Sequence, residues 1–513
     1  MSERRATPEG TADYAARFRG GSPHGYAPFG TTGLTVSRLG FGGYRVDDET
    51  PAHRQALEAA LAAGCNLIDT STNYTDGASE RLIGQVLGDG ETRGTWRRDQ
   101  MILVSKIGYV QGQNLALAEE RERAGRPFPE MVKYMDGCWH CVHPDFLADQ
   151  LARSRARLRV DALDVCLLHN PEYFLADARK RHAGDLDAVR ARFYARLRNA
   201  FAFLEGAVGR GEIRFYGVSS NTAVSEPDDP EATSVSRMLA AAAEAGGDEH
   251  HFRVLQVPMN LFESGGALIR NTGERHNRTA LEEASSAGLG VLINRPLNAF
   301  SRGRLIRLAG ARASSGEGSI EPLVLRLREL GAEYRAGFGP APAADGSHPA
   351  PDDRAGAAES LFLLVDEIAG LPAQVEDEVQ WQQIEQQYVI PRINYVVGTV
   401  AQGLPPEARQ SWSAWWARYL PALQTLLQEI GRQAAKKGGG RAASIGAAID
   451  PALPPERRAE TLSRKALWVI ASTPGVSSVL VGMRRPAYVQ DATGILAWPP
   501  LSDPLSVYPR LPK

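Results

Sequence analysis

Eight short apolar segments alternate with helical patterns along the chain, and this alternation restricts the fold more than any other feature of the sequence. The segments are rich in Val, Ile and Leu and end at polar or glycine-containing turns, as strands buried on both faces of a parallel sheet do. The helical pattern from Pro51 to Gly64 shows the usual proline start and glycine end. The segments begin near Leu39, Asn66, Met101, Ala162, Ile213, Val254, Gly290 and Val476.

This repeat predicts an α/β fold, a closed (β/α)8 TIM barrel. An open, doubly wound sheet is the main alternative. Such a sheet normally carries a G-x-G-x-x-G turn after its first strand. The sequence "GFGGYR" at Gly40 matches that turn only in part, so we interpret it as ordinary turn chemistry.

Two stretches interrupt the repeat and set the predicted domain organisation. A loop insertion, Tyr109–His140, follows the third strand, and a larger, mainly helical insertion follows the seventh. Within the larger insertion, residues 337–356 are rich in Gly, Pro and Ala and predict a disordered loop. The predicted parts are an N-terminal extension at 1–26, the first part of the barrel at 27–309, the insertion at 310–459, and the last βα unit with a C-terminal tail at 460–513.

The clearest helix of the larger insertion begins near Pro421. Apolar residues there recur at the spacing of one helical face, at Leu423, Leu426, Leu427 and Ile430. We expect the helix to end at "KKGGG", which begins at Lys436, because three glycines in a row disfavour helix.

Composition narrows the class of protein. The chain has 513 residues, a net charge of −2 and 43% hydrophobic residues, so we expect no nucleic-acid partner. No apolar run approaches the roughly 20 residues needed to span a bilayer, and the N-terminus lacks the apolar stretch of a signal peptide. Four cysteines are too few for a disulfide framework, so we predict a cytoplasmic protein without a membrane partner.

The segment "DGCWHCVHPD" raises the question of a metal site. Cys138 and Cys141 have zinc-knuckle spacing, with His140 and His143 interleaved. A tetrahedral site usually needs a second ligand pair farther along the chain, and none is evident. A redox C-x-x-C is the other alternative. We predict no metal and interpret the segment as a loop that packs against the barrel.

Polar residues follow the second, third and fourth predicted strands. Asp69 and Tyr74 follow the second, Lys106 ends the third, and His169 ends the fourth. In a barrel these strand ends meet at the C-terminal face, where the chemistry of such folds is found. A charged Lys106 near Tyr74 is expected to lower the pKa of the phenol. The set suits a tyrosine that donates a proton to a carbonyl oxygen as hydride reaches the carbon.

Each of these residues also fits a structural role when taken alone. An aspartate after a strand often caps a turn, and Tyr74 also suits the rim of a barrel. Lys106 fits an exposed position, and His169 fits a hydrogen-bonded turn. The occurrence of all four at successive strand ends favours the catalytic interpretation.

The chain resembles the aldo-keto reductase family. The motifs are "APFGTTGLTVSRLGFGG", "GCNLIDTSTNYTDGASERLIG", "VSKIG", "LDVCLLHNP", "GEIRFYGVSSN", "LQVPMN" and "TPGVSSVLVGMRR", which cover about residues 27–309 and 460–495. The resemblance implies a TIM-barrel enzyme that uses NADP to interconvert an aldehyde, ketone or sugar carbonyl with an alcohol. It implies catalytic roles for Asp69, Tyr74, Lys106 and His169.

The resemblance also implies a set of cofactor-binding residues. Ser219, Asn221 and Gln256 correspond to the contacts with the nicotinamide carboxamide. Arg484 and Arg485 stand where barrels commonly bind phosphate, and their planar donors suit a 2′-phosphate. The remaining implied contacts are Arg295, Pro296, Leu297, Gly482, Gln490 and Asp491.

Two departures from the family pattern leave the substrate open. Asn294 stands near the place where many members have an aromatic residue that stacks on the nicotinamide. Both insertions follow loops that shape the substrate pocket in this family. Two other functions remain alternatives, namely a cofactor-binding sensor or interaction subunit with slow turnover and a barrel lyase or isomerase without a redox cofactor. The oligomeric state is also open.

Overall fold

The computed structural model describes residues 5–18, 20, 24–182, 184–301, 304–309, 318–338, 353–404 and 406–511. The contacts divide the chain into two compact units. One unit comprises Met1–Leu308 with Ala448–Lys513, and the other comprises Ala309–Ala447. Residues 448–459, which the sequence groups with the insertion, therefore lie in the first unit.

The first unit is a closed barrel of eight parallel strands, as predicted. Each strand pairs with the next one along the chain, and the last strand pairs with the first. The side chains of the second, third and fourth strands are buried throughout, which explains their continuous apolar runs. The strands are Leu39–Gly42, Leu67–Asp69, Ile102–Ile107, Leu163–His169, Ile213–Ser219, Phe252–Pro258, Gly290–Asn294 and Ser478–Val481.

One helix follows each strand and completes the βα repeat. The second of these helices begins after Gly77, which has a φ of 83° and suits the sharp turn from the strand. The helices are Pro51–Ala62, Ala78–Thr92, Pro144–Leu158, Leu186–Gly209, Val235–Gly246, Ala280–Ser286, Leu462–Ser472 and Pro486–Thr493. Shorter elements in the connecting loops are the helices Tyr173–Lys180 and Gly265–Leu268 and the strand pairs Arg270–Thr272 with Arg278–Thr279 and Asn298–Ser301 with Arg304–Arg307.

The N-terminal segment closes the bottom of the barrel. The strands Tyr26–Pro28 and Thr35–Ser37 form a hairpin whose turn buries Phe29 among the inward-facing side chains at the strand starts. The helix Pro8–Phe18 precedes this hairpin. Just before that helix, the Ala6 backbone N–H donates to Asp164 Oδ1 at 2.6 Å. The bottom is therefore a packed core, and the open end is the one where the strands finish.

The loop insertion after the third strand forms its own small sheet beside the barrel. The strands Tyr109–Val110, Cys138–His140 and Val132–Met135 pair in that order, and the helix Gln113–Arg123 lies between the first strand and the others in sequence. Its apolar core includes Phe128 and Cys141. The Cys138–Cys141 segment therefore belongs to a packed sheet.

The second unit is helical and has its own hydrophobic core. Its helices are Glu321–Phe338, Asp353–Ala369, Glu378–Ile384, Ile390–Gly403 and Pro406–Ile449, with a π-helical turn at Glu385–Val389. The core contains Trp381, Trp415 and Tyr419 together with the predicted stripe that begins at Leu423. Residues 339–352, most of the predicted loop at 337–356, lie outside the described residues, and the described ends of that range are helical.

The predicted end of the last insertion helix at "KKGGG" is wrong. A single helix of 44 residues runs from Pro406 to Ile449, with Pro421 inside it and through all three glycines. Packing overrides the weak helix propensity of glycine here. At Gly438 an added Cβ would lie 3.0 Å from Asp377 Cβ, so the missing side chain lets another segment approach closely. Within the described residues, no helix is both long and apolar enough to cross a membrane.

Candidate active site

Four polar side chains meet at the C-terminal ends of three consecutive barrel strands. Asp69 is the last residue of the second strand, Lys106 lies one residue before the end of the third, and His169 is the last residue of the fourth. Tyr74 follows the second strand in a tight turn. The structure thus brings together the four residues that the strand-end pattern singled out.

Lys106 is the centre of this group. Its side chain is fully buried, and its ammonium donates three hydrogen bonds. The acceptors are Asp69 Oδ2 at 2.7 Å, the Thr70 carbonyl at 2.8 Å and the Tyr74 hydroxyl at 3.1 Å. Three donors and three acceptors leave no ammonium hydrogen unpaired. The three hydrogen bonds therefore hold the lysine in one position, next to the phenol of Tyr74.

Asp69 and Lys106 form a buried ion pair. Burial raises the pKa of the Asp69 carboxyl, and the Lys106 charge opposes this rise. Burial alone would lower the pKa of Lys106, but Asp69 and Tyr74 outweigh it and raise the pKa above its usual value. The ammonium is therefore kept charged beside the phenol.

The expected lowering of the Tyr74 pKa is wrong. Burial raises the pKa of this phenol by more than Lys106 lowers it. The sequence indicated that the Lys106 ammonium would be near Tyr74, but it gave no measure of how far burial would desolvate the phenol. The effect of desolvation on the pKa is the larger of the two. Tyr74 thus carries its proton at neutral pH, which suits a proton donor.

The loop insertion after the third strand surrounds His169. His140 Nε2 lies 2.7 Å from the His169 carbonyl oxygen, and the Tyr109 ring meets the imidazole edge-on at 4.6 Å. On the other side, His169 Nδ1 lies 3.0 Å from Ser71 Oγ. Burial, with help from the charge of Lys106, keeps the pKa of His169 well below its usual value. The imidazole is therefore neutral.

Gln256 links the sixth strand to the ion pair. Its Nε2 donates to Asp69 Oδ1 at 2.8 Å. Its Oε1 accepts hydrogen bonds from Ser219 Oγ at 3.1 Å and from Asn294 Nδ2 at 3.2 Å. Asn221 lies beyond the fifth strand and is exposed. The structure thus joins Ser219 and Gln256 to the site and leaves Asn221 at its rim.

The residues after the seventh strand border the site. Arg295 has a φ of 52° and forms an ion pair with Glu263 at 3.3 Å. Pro296 is buried, and Leu297 is half-buried. Asn294 uses one hydrogen of its side-chain amide nitrogen for the hydrogen bond to Gln256.

The predicted cofactor-binding residues after the last strand differ in their surroundings. Arg484 is half-buried, and Gly482, Arg485 and Gln490 are exposed. Burial lowers the pKa of Arg484, and the nearby charges of Arg45, Arg307 and Arg485 lower it further. Asp491 has different surroundings from these residues. Its carboxylate accepts hydrogen bonds from Thr461 Oγ1 at 3.1 Å and Ser463 Oγ at 2.5 Å, so it faces the preceding helix.

Several site residues escaped the sequence reasoning. Ser71 lies two positions after Asp69, so a search of the strand-end turn for further polar side chains would have found it. Tyr109 and His140 come from the loop insertion, and nothing in their spacing indicates that they pack on His169. Among the described residues, no group of three His, Cys, Asp or Glu side chains is placed to hold a metal ion.

Comparisons with known proteins find similarity in the barrel part of the chain. Residues 38–261 match the sequence model of the Aldo/keto reductase family. A D-threo-aldose 1-dehydrogenase from Pseudomonas sp is 30% identical over 37% of this chain and 51% of its own length. An NADH-specific methylglyoxal reductase from Escherichia coli is 28% identical over 28% of this chain and 40% of its own length. The chain thus spans about half or less of these two curated relatives.

A solved structure covers nearly the whole chain. It is an aldo-keto reductase from Klebsiella pneumoniae in complex with NADPH. It is 16% identical, with a TM-score of 0.42, over 94% of this chain and 93% of the other.

Proposed function

Because residues 38–261 of this chain belong to the aldo/keto reductase family, we propose that the protein is an NADP(H)-dependent oxidoreductase that interconverts a carbonyl and an alcohol. The observation that carries the proposal is the hydrogen-bonded set of Asp69, Lys106 and Tyr74 at the C-terminal face of the barrel. A buried charged lysine beside a protonated tyrosine, with a neutral histidine close by, suits proton transfer to a carbonyl oxygen.

Tyr74 acts as the general acid in the reductive direction. A bound nicotinamide supplies the hydride that reaches the carbonyl carbon. As negative charge develops on the carbonyl oxygen, Tyr74 gives it a proton, and the Lys106 ammonium at 3.1 Å stabilises the phenolate that remains. Asp69 keeps the ammonium charged and in place. In the oxidative direction, the phenolate takes the proton back from the alcohol.

The side chains around the site suit both the nicotinamide and the 2′-phosphate of such a cofactor. Ser219 and Gln256 offer a hydroxyl and an amide close to Asp69, where a nicotinamide carboxamide would bind, and Asn221 lies at the rim. Arg484 lies near the charges of Arg45, Arg307 and Arg485, and a bound anion would reduce the repulsion among them. We assign the 2′-phosphate to one of the two neighbouring arginines Arg484 and Arg485, and we favour Arg484.

The experiment that tests this function is a turnover assay. The purified protein is mixed with NADPH and a panel of aldehydes, ketones and sugars while the absorbance of the reduced cofactor is followed. The reverse assay uses NADP and the matching alcohols. We expect cofactor-dependent turnover of at least one pair. Turnover that needs no cofactor would indicate a lyase or isomerase, and tight cofactor binding without turnover would indicate a sensor.

A further inference from the structure

Glu172 is a buried carboxyl group that the proposed reaction does not use. It lies three residues after His169, at the start of the helix Tyr173–Lys180. The residue is only 5% exposed. Carboxyl groups are almost never buried to this extent without partners, so the contacts of Glu172 indicate its role.

These contacts join the segment after the fourth strand to the end of the fifth strand. Glu172 Oε1 accepts the Asn221 backbone N–H at 2.6 Å, and the Asn170 backbone N–H donates to the Ser219 carbonyl oxygen at 2.7 Å. A backbone N–H can only donate, so the bond from Asn221 to the carboxyl group has a single direction. We call Ser219, Ser220 and Asn221 the fifth-strand turn. The neighbouring segment holds this turn at both of its ends.

The fifth-strand turn carries two of the proposed nicotinamide contacts, Ser219 and Asn221. The hydroxyl of Ser219 is oriented through Gln256. Gln256 Nε2 donates to Asp69 Oδ1, so its Oε1 is left to accept from Ser219 Oγ at 3.1 Å. Glu172 contacts the backbone of the turn at Asn221, so it acts on a bound cofactor through the turn.

The charge of Glu172 decides how strongly the turn is held. Burial raises the pKa of the carboxyl group from 4.5 to about 7. Hydrogen bonds from its own N–H, from the Asn221 N–H and from the Ser220 hydroxyl oppose this rise, because they stabilise the ionised form. By the same interaction, the ionised carboxylate accepts these bonds about twice as strongly as the neutral acid does. The turn is therefore held more firmly above about pH 7 than below it.

The titratable neighbours of Glu172 are two phenols. Tyr109 comes from the loop insertion, and Tyr173 comes from the helix that follows Glu172. Burial raises the pKa of both phenols above its usual value, so both stay neutral near pH 7. These phenols therefore do not compete with Glu172 as the source of a change near that pH.

We propose that Glu172 is a positioning residue whose ionised carboxylate holds the fifth-strand turn in the conformation that binds the nicotinamide. This step rests on the proposed function. Cofactor binding requires the firmly held turn, so it favours loss of the Glu172 proton. By linkage, the affinity for the cofactor rises as pH rises through about 7.

A cofactor titration at two pH values tests the proposal. We would measure Kd for NADPH by fluorescence at about pH 6 and about pH 8.5, on either side of the Glu172 titration, in the parent and in Glu172→Gln, whose amide stays neutral. The ratio of the two Kd values removes the titration of the cofactor phosphate and of other residues, which both proteins share. At the higher pH we expect the variant to bind about three- to ten-fold more weakly, the effect of losing one charge-assisted hydrogen bond. At the lower pH we expect nearly equal binding.

Glu205→Gln is the matched control for this titration. Glu205 Oε1 also accepts a backbone N–H, from His251 at 2.7 Å, but this contact lies just before the sixth strand, at the opposite end of the barrel. We expect the control to bind NADPH as the parent does at both pH values. A Kd ratio for Glu172→Gln that is the same at both pH values overturns the proposal and leaves the proposed function standing. A parent that binds no NADPH overturns the proposed function, and with it the role of Glu172 in cofactor binding.

The link between Glu172 and the turn can also be measured without cofactor, by nuclear magnetic resonance. With ¹⁵N-labelled asparagine, the Asn221 backbone signal is identified by its loss in Asn221→Gln. We expect its amide proton shift to titrate with a midpoint near pH 7 in the parent and to lose this titration in Glu172→Gln. A parent signal without this titration overturns the proposal. If circular dichroism shows that Glu172→Gln does not fold, the titration of the parent decides alone.

Discussion

At the residue scale, Tyr74 is the sharpest test of the proposed chemistry. Tyr74→Phe removes the proton donor and keeps the ring, so turnover should fall on the order of 10²–10⁴-fold, the usual range for a positioned acid. Cofactor affinity should change little, because the phenol contacts Lys106 rather than the arginine cluster. Tyr44→Phe is the matched control, since it removes the same atom from an exposed ring beside Tyr74. Near-normal turnover of Tyr74→Phe would exclude this residue from the mechanism.

Arg484 and Arg485 carry the prediction about cofactor choice. A charge-assisted contact worth about 1.5–3 kcal/mol predicts roughly a ten- to hundred-fold preference for NADPH over NADH. Replacing both arginines with alanine should erase most of this preference and leave NADH affinity nearly constant. Titration of both cofactors into the two proteins measures the effect. Equal affinities in the parent, or an unchanged preference in the double variant, would contradict the assignment.

Glu172 predicts a dependence of stability on pH. Its side chain is buried, and Oε1 accepts the Asn221 N–H at 2.6 Å. Burial raises the pKa of this carboxyl from 4.5 to about 7. Between these values the folded state binds more protons than the unfolded state, so this group's contribution to stability falls as pH rises through that window.

Glu172→Gln removes this titration, because the amide stays neutral. We expect the melting temperature of the variant, relative to the parent, to be higher at about pH 8 than at about pH 5. The exposed Glu120→Gln serves as the control for a simple change of charge. A difference between parent and Glu172→Gln that does not vary with pH would show that the carboxyl titrates normally.

The limits of sequence reasoning are also clearest at single residues. Asp69, Lys106 and His169 could be placed because each lies at, or one residue before, the end of a strand, and barrel strand ends share one face. The direction of the Tyr74 pKa could not be predicted, because it depends on how much water the fold removes from the phenol. Ser71 bonds to a histidine far along the chain, and such a pairing follows from the closed barrel rather than from local spacing.

At the element scale, the eight strands and their helices followed from hydrophobic pattern, and the long insertion helix did not. Strand segments can be recognised in the sequence because both faces of the sheet are buried, which gives each strand a continuous apolar run. In the helix Pro406–Ile449, the local signal of three glycines pointed to an end. The close approach of Asp377 at Gly438 reveals why a glycine is useful inside this helix. Local propensity is a weak guide where packing decides.

Two glycines of the "KKGGG" stretch in that helix, Gly438 and Gly440, differ in their surroundings, so alanine should have different effects at the two positions. A Cβ at Gly440 would meet nothing within 4 Å, and the residue is exposed, so Gly440→Ala should stabilise the second unit by about 0.5–1 kcal/mol. A Cβ at Gly438 would press on Asp377 at 3.0 Å, so Gly438→Ala should gain less or destabilise. Denaturant unfolding followed by tryptophan fluorescence compares the two. A larger gain at Gly438 would contradict the packing argument.

At the scale of the whole molecule, the chain consists of two units with separate cores. The core of the second unit is built from residues between Val324 and Ala434, all within Ala309–Ala447. The barrel core is built from residues before Ala309 or after Ala447. A segment that buries its own apolar surface can in principle fold alone. The chain that leaves the seventh strand thus carries a second domain rather than a simple long loop.

Independent folding of the second unit is therefore expected. Residues 309–447 produced as a separate chain should show helical circular dichroism, a cooperative thermal transition and dispersed tryptophan side-chain signals, because Trp381 and Trp415 lie in one packed core. Trp415→Ala, which removes a buried ring whose Nε1 donates to the Leu330 carbonyl at 2.8 Å, should destabilise it by about 3–5 kcal/mol. Trp416→Ala, at a partly buried position on the same helix, should cost less. A separate chain without a cooperative transition would show that the second unit depends on the barrel for its structure.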